Sequence, residues 1–227
     1  MLANQSISSD VVTPSTPLKI RQHVTGNSPL VLAEIYEDII NIAIWQRELT
    51  PSLQRSIQKL IHAQPRFQTA ITVSPDHAAS ALINEFGSKE YSDLAANIAE
   101  LVDMFCSLFD LKQTGLRLAV LDKAMCPKFH VDRVPCRLVT TYQGIATEWL
   151  PHTKVNRSQL GLNSVQSNGK QAEIYQKQTD IQQLQAGEVA LLKGESWHNN
   201  ENAGLVHRSP AVVAGSSRLL LTLDFSA

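Results

Sequence analysis

The feature of the sequence that most constrains its fold is a change of hydrophobic pattern near residue 114. Before that point, apolar residues repeat at spacings of three and four, which is typical of amphipathic helices. After it, short runs of strand-type residues stand between turns, and no helical period of useful length is found. Helices followed by strands predict an α+β protein whose functional site lies in a β-sandwich or jelly-roll.

The first half of the chain predicts three helices and two strands. Thr50-Pro51 and Ser74-Pro75 each place a capping residue before a proline, which is favoured at the first helical position. The strongest helix is expected over residues 92–109. Its apolar stripe consists of Leu94, Ile98, Leu101, Phe105 and Leu108. The strands are expected at 41–47 and 66–73.

The second half predicts a β-rich core over residues 115–227. Its expected strands are 115–121, 136–142, 187–192 and 218–225. Residues 151–180 are polar and contain turn signals, so they predict a long loop or insertion, and such loops are often functional lids. We expect one compact domain that joins a disordered tail at 1–17, a mainly helical portion at 18–114 and this core.

Composition excludes several classes of protein. A net charge of -1 gives no basic surface for nucleic acid or an anionic membrane. No apolar run is long enough to span a bilayer, and the N-terminus lacks the basic and apolar regions of a signal peptide. Three cysteines are too few, and odd in number, for a disulfide framework. These features predict a cytoplasmic protein in a reducing compartment.

A metal site is predicted from the stretch "CPKFHVDRVPCRL", residues 126–138. His130 and Asp132 are two residues apart, so on a strand their side chains point to the same face and could bind one metal ion. Two histidines and one carboxylate on one face, with other coordination positions open, is the arrangement of non-haem Fe(II) oxygenases. The pair therefore calls for a second histidine further along the chain.

His207 is the preferred second histidine. It ends a short apolar run, a Pro and Gly turn follows it, and Arg218 opens the last strand eleven residues later. Arginine suits the binding of a carboxylate because its planar guanidinium donates two parallel hydrogen bonds. Arg218 is therefore a candidate for holding the distal carboxylate of a bidentate cosubstrate.

Other ligand sets remain open at the level of sequence. Cys126 and Cys136 flank His130 and could bind Zn(II) with it, although cysteines of this kind are more often buried or supporting groups. His198 with Arg208 is an alternative choice for the distal pair. The other histidines have no partner at ligand spacing and are interpreted as surface or structural residues: His23, His62, His77 and His152.

Over roughly residues 115–226, these motifs resemble those of the Fe(II)/2-oxoglutarate-dependent oxygenase superfamily, in particular its prolyl-hydroxylase-like members. "LRLAVLDKAMCPKFHVD" is similar to the segment that delivers the first two metal ligands, and "HRSPAVVAGSSRLLLT" to the segment of the distal histidine and 2-oxoglutarate. The resemblance implies a double-stranded β-helix core with N-terminal helices packed on it. It implies Fe(II) bound by His130, Asp132 and His207, and Arg218 on the C5 carboxylate of 2-oxoglutarate. The reaction implied is hydroxylation of a small-molecule or protein substrate.

The whole chain also resembles an uncharacterised bacterial domain-of-unknown-function family, through "IAIWQR", "CPKFHVDRVPCRLV", "TEWLP" and "LVHRSP". Members of that family are often encoded near zinc-responsive genes and metallochaperone GTPases. This resemblance implies a metal without saying which one. It keeps open an alternative function, in which the same scaffold binds Zn(II) or another metal in metal homeostasis and catalyses nothing.

Overall fold

The computed structural model describes residues 20–161 and 173–226, so the tail predicted at 1–17 lies outside the described residues. Within them, the chain is a mixed α/β protein with two facing sheets. The strands in chain order are β1 Gln22–Gly26, β2 Ile40–Trp45, β3 Gln68–Val73, β4 Thr114–Leu121, β5 Cys136–Gln143, β6 Glu148–Leu150, β7 Gln182–Gln183, β8 Val189–Lys193, β9 Val206–Arg208 and β10 Arg218–Phe225.

The main sheet has seven strands in the order β1-β2-β8-β5-β10-β4-β3, and the small sheet has three in the order β7-β6-β9. All neighbours are antiparallel except β1 and β2, which are parallel. The four long strands expected in the second half are confirmed as β4, β5, β8 and β10. The portion before residue 115 supplies three strands of this sheet: β2 and β3 confirm the strands expected at 41–47 and 66–73, and β1 was not expected.

The three predicted helices are confirmed as α1 Pro51–Ala63, α2 Pro75–Phe86 and α3 Ser92–Phe109. Thr50 caps α1 by accepting a hydrogen bond from the Leu53 backbone N–H. Gly87 ends α2 at φ 70, a left-handed conformation that glycine adopts without steric cost. None of the described helices combines the length and the apolar character that crossing a bilayer requires.

One face of the main sheet packs on the helices. Leu94, Ile98 and Leu101 of the α3 stripe are fully buried there against Leu219 and Leu221 of β10 and their neighbours. Burial of apolar surface at about 25 cal/mol per Å² makes this layer the principal source of stability. The main sheet is thereby held rigid beneath the site.

The other face of the main sheet packs on the small sheet. A second apolar cluster joins Ile44 and Leu192 of the main sheet to Trp149 and Leu205 on the small-sheet side. Because successive strand residues point to opposite faces, His207 faces this interior while Val206 faces outward.

The described parts of the segment predicted as a long loop at 151–180 pack on the outer face of the small sheet. Val155, Leu160, Ile174 and Tyr175, together with Ile181 just after the segment, pack against an outward-facing cluster. That cluster consists of Phe129, Leu150 and Val206. The described parts of the segment therefore lie on the side of the small sheet away from His207, and residues 162–172 lie outside the described residues.

Candidate metal centre

His130 and His207 lie opposite each other on neighbouring extended segments. Their backbones exchange two hydrogen bonds of 3.0 Å, and their imidazole centroids are 4.6 Å apart. This pairing extends the small sheet by one bridge beyond β9 and places both side chains on its interior face.

Asp132 completes the group, two residues after His130. Its Oδ1 atom lies 3.7 Å from His130 Nε2, and its Oδ2 atom lies 3.4 Å from His207 Nε2. The three side chains each offer a ligand atom, and these atoms all lie within 4.8 Å of one another. Atoms bonded to one ion at about 2.0–2.2 Å lie roughly 3–4 Å apart, so small side-chain rotations would close the group on an ion.

Hydrogen bonds orient both imidazoles. His130 Nδ1 lies 2.9 Å from the Lys128 carbonyl and His207 Nδ1 lies 3.2 Å from the Leu205 carbonyl. A carbonyl only accepts, so a neutral imidazole carries its proton on Nδ1 and presents the Nε2 lone pair to Asp132. Burial lowers the pKa of His207, which keeps that ring neutral at pH 7.

The group is therefore a set of acceptors that face one another. Nitrogen and carboxylate oxygen atoms that converge in this way would all be stabilised by a cation placed between them. Two imidazoles and one carboxylate are also the donor set that Fe(II) accepts in oxygenases. The residues present thus fit a bound Fe(II) or similar divalent ion.

The centre opens to solvent on one side. The exposed fraction of the side chain is 34% for His130, 13% for Asp132 and 8% for His207. The described residues supply three ligands, and the open side leaves room for ligands that are not protein. An open position is what distinguishes catalytic metal sites from structural ones.

Arg137 holds Asp132, and no sequence pattern had indicated it. Its Nη1 donates to Asp132 Oδ2 at 2.7 Å, while Nε and Nη2 donate to the two carboxylate oxygens of Asp224 at 2.8 and 3.0 Å. Arg137 and Asp224 are cross-strand partners of β5 and β10. The carboxylate of Asp132 is therefore anchored to the main sheet.

Arg218, the candidate cosubstrate residue, is fully buried at the start of β10. Nη1 donates to Ser209 Oγ at 2.8 Å, and Nη2 donates to Thr141 Oγ1 at 3.1 Å and Thr147 Oγ1 at 3.5 Å. Nε is buried without a hydrogen-bond partner, and within the described residues no carboxylate pairs with this guanidinium. Burial lowers the pKa of Arg218 to about 10.

Arg218 lies on the same side of the small sheet as the metal ligands. Ser209 follows His207 by two residues, so the two side chains share a face. A buried cation that has only hydroxyl partners is costly until an anion joins it. The interior between the two sheets thus holds a cluster that fits a cation and a guanidinium that fits an anion.

The alternative ligands do not join this group. Cys126 and His198 are exposed, and Cys136 is buried in the helix-side core, where burial raises the pKa of its thiol. Arg208, the alternative distal cation, donates from Nε to Glu148 Oε2 at 2.6 Å on the outer face.

The histidines interpreted as surface or structural lie in different settings. His62 and His77 are on helices, and His23 on β1 is 5.3 Å from the ring of Trp149. His152 is buried. None of these residues contributes to the three-ligand group.

Comparison with known proteins shows to which family the chain belongs. The model of the family described as protein of unknown function (DUF1826) matches residues 26–224, and the chain belongs to that family. No match is found among curated proteins. The expected link to zinc-responsive genes and metallochaperone GTPases stays a prediction.

Solved structures with the same fold include two dioxygenases. Dioxygenase for auxin oxidation 1 from Arabidopsis thaliana, in binary complex with 2-oxoglutarate, is similar at a TM-score of 0.50 and 10% identity, over 91% of this chain and 92% of that chain. The rice dioxygenase for auxin oxidation is similar at a TM-score of 0.50 and 13% identity, over 92% of this chain and 83% of that chain. At this identity the likeness shows a shared fold.

Proposed function

We propose that the protein is a non-haem Fe(II)/2-oxoglutarate-dependent oxygenase and that its two facing sheets form a double-stranded β-helix. The observation that carries the proposal is the convergence of His130, Asp132 and His207 on one point, together with the fully buried Arg218, which has no carboxylate partner among the described residues. Fe(II) would fit the first group, and a carboxylate of 2-oxoglutarate would fit Arg218.

His130, Asp132 and His207 would hold the metal, with their Nε2 and carboxylate oxygen atoms already turned toward one point. When bound, Fe(II) and 2-oxoglutarate together supply activation of O2, coupled to oxidative decarboxylation of 2-oxoglutarate to succinate and CO2. Arg137 orients Asp132, because its guanidinium donates a hydrogen bond of 2.7 Å to the carboxylate.

Arg218 would bind the C5 carboxylate of 2-oxoglutarate. Thr141, Thr147 and Ser209 hold its guanidinium in place from one side, and the unpartnered Nε remains available. A charge-assisted pair in a water-poor interior is strong because the dielectric constant is low. The three hydroxyls could also bond the same carboxylate, since each can donate as well as accept.

The exposed Met125 lies on the segment that leads to His130, and its backbone N–H donates to Ser209 Oγ at 3.3 Å. An apolar side chain is therefore part of the segments that carry the candidate ligands.

Metal analysis followed by a turnover assay tests the proposal. Protein purified without chelator is supplied with Fe(II), O2 and 2-oxoglutarate, and succinate is quantified. We expect Fe(II)-dependent succinate from the wild type and none from Asp132→Ala, while Asp103→Ala, which removes an exposed carboxylate on α3, behaves as the wild type. Tightly bound Zn(II) with neither binding nor turnover of 2-oxoglutarate would leave a metal-binding protein on this scaffold.

A further inference from the structure

A second cluster of unpartnered polar atoms lies beyond the end of the pairing between β6 and β9. It is formed by His152, which follows β6, and Arg157, which opens the short 3-10 turn Arg157–Gln159. Arg157 Nη2 donates to the Gly204 carbonyl at 2.7 Å and contacts His152 Nδ1 at 3.3 Å. Leu150 is the last residue of β6 and pairs with Val206, so His152 and Gly204 each lie two residues beyond the end of this pairing.

The tautomer of His152 follows from this contact. A guanidinium only donates, so Nδ1 must accept and the proton of the neutral ring lies on Nε2. His152 is only 5% exposed, and its Nε2 is buried without a partner. Arg157 Nε and Nη1 are also buried and unpartnered, so three of the six such atoms in the described residues belong to this pair.

The electrostatic surroundings are cationic. Burial first, then Arg157 and Arg21, lower the pKa of His152 to about 4. Burial also lowers the pKa of Arg157, and Arg21 acts in the same direction while Glu195 opposes it. Asp38 likewise raises the pKa of Arg21, against the effect of burial. No carboxylate of the described residues pairs with either guanidinium within 4.0 Å.

Every unsatisfied atom in this cluster is a donor. A buried donor without an acceptor costs about 1–3 kcal/mol, and charged donors cost more. Water is a poor partner, because a water that accepts from these donors must also donate its own hydrogens, and the cluster offers no free acceptor. A ligand that only accepts, and that carries negative charge, satisfies both the donors and the local charge.

We infer that Arg157 and His152 form a binding site for one small oxyanion of the phosphate or carboxylate type. Arg157 donates to it from Nε and Nη1, and His152 donates from Nε2. The site is distinct from Arg218, which belongs to β10 of the main sheet and donates to Ser209, Thr141 and Thr147. A bound anion would fasten the 151–160 segment to the chain at Gly204, three residues before His207.

The test separates this site from the interior guanidinium. Metal-free Arg218→Met protein is titrated with inorganic phosphate at constant ionic strength, by calorimetry and by the shift in melting temperature. We expect one saturable site. Adding Arg157→Met should weaken it about tenfold or more, and adding His152→Leu should weaken it severalfold, because each removes donors. Adding Arg55→Met, an exposed arginine of α1, should leave it unchanged.

A parallel titration with acetate identifies the source of the oxyanion. Tighter phosphate binding would indicate a phosphate-type ligand, and tighter acetate binding a carboxylate. Should the protein with Arg157→Met fail to fold, the variant with His152→Leu decides. The inference is overturned if neither anion saturates the Arg218→Met protein, or if a folded variant lacking the donors binds as tightly as its parent.

Discussion

Replacing Arg218 by methionine should weaken the binding of 2-oxoglutarate by about 2 kcal/mol or more, which is roughly thirtyfold. The magnitude follows from burial. The guanidinium is fully buried and donates hydrogen bonds to three hydroxyls at 2.8, 3.1 and 3.5 Å, while its Nε has no hydrogen-bond partner. In the variant, the carboxylate of 2-oxoglutarate would still lose its hydration on binding, but it would no longer gain a cationic partner. Methionine fills similar space, and removing a buried cation that lacks an anion should leave the free protein folded.

The assay is an anaerobic titration of Fe(II)-loaded protein with 2-oxoglutarate, followed by charge-transfer absorbance. Arg55→Met on α1 is the matched control, since that arginine is exposed and far along the chain from the site. The affinity for Fe(II) itself should hardly change in Arg218→Met, because Arg218 is not a ligand. Equal affinities of variant and wild type for 2-oxoglutarate, or no binding to the wild type, would refute the role given to Arg218.

Three further predictions concern the metal and the buried histidine. Asp132→Ala should lower metal affinity sharply while circular dichroism shows a folded apo protein; an apo protein that unfolds would indicate a structural metal. Arg137→Met should weaken metal binding about 10- to 100-fold in a competition titration, because Asp132 loses the 2.7 Å hydrogen bond that orients it. The control Arg133→Met, which changes an exposed arginine, should not weaken it, and equal metal affinities of Arg137→Met and wild type would contradict the role given to Arg137. The free energy of unfolding should fall as pH drops from 6.5 toward 4, because His152 takes up a proton only when unfolded. The loss should be on the order of 3 kcal/mol, and His152→Leu should flatten the urea-unfolding profile in anion-poor buffer; an unchanged slope would contradict the reasoning.

The closeness of His130 and Asp132 could be predicted from sequence because their geometry is local. His130 and Asp132 share a face whenever their segment is extended. The turn between His207 and Arg218 could likewise be expected to return the chain to the main sheet. The helix α3 was predictable for a similar reason, since its apolar stripe repeats over about four turns and is buried at every position except Leu108.

The groups that support the site could not be predicted from sequence. Arg137 and Asp224 are 87 residues apart in the sequence, and only the register of β5 and β10 brings them into contact. The strands β6, β7 and β9 have three residues or fewer, too short for any periodicity. His152 has no neighbour in sequence at ligand spacing, and its unpartnered nitrogen follows from tertiary packing.

The most direct test of the central claim is the anomalous scattering of iron in crystals grown anaerobically with Fe(II) and 2-oxoglutarate. We expect one peak within about 2.0–2.3 Å of His130 Nε2, His207 Nε2 and a carboxylate oxygen of Asp132. The C5 carboxylate of 2-oxoglutarate should lie against Arg218. A peak elsewhere, a site closed by a fourth protein ligand, or 2-oxoglutarate that is absent from Arg218 would contradict the account.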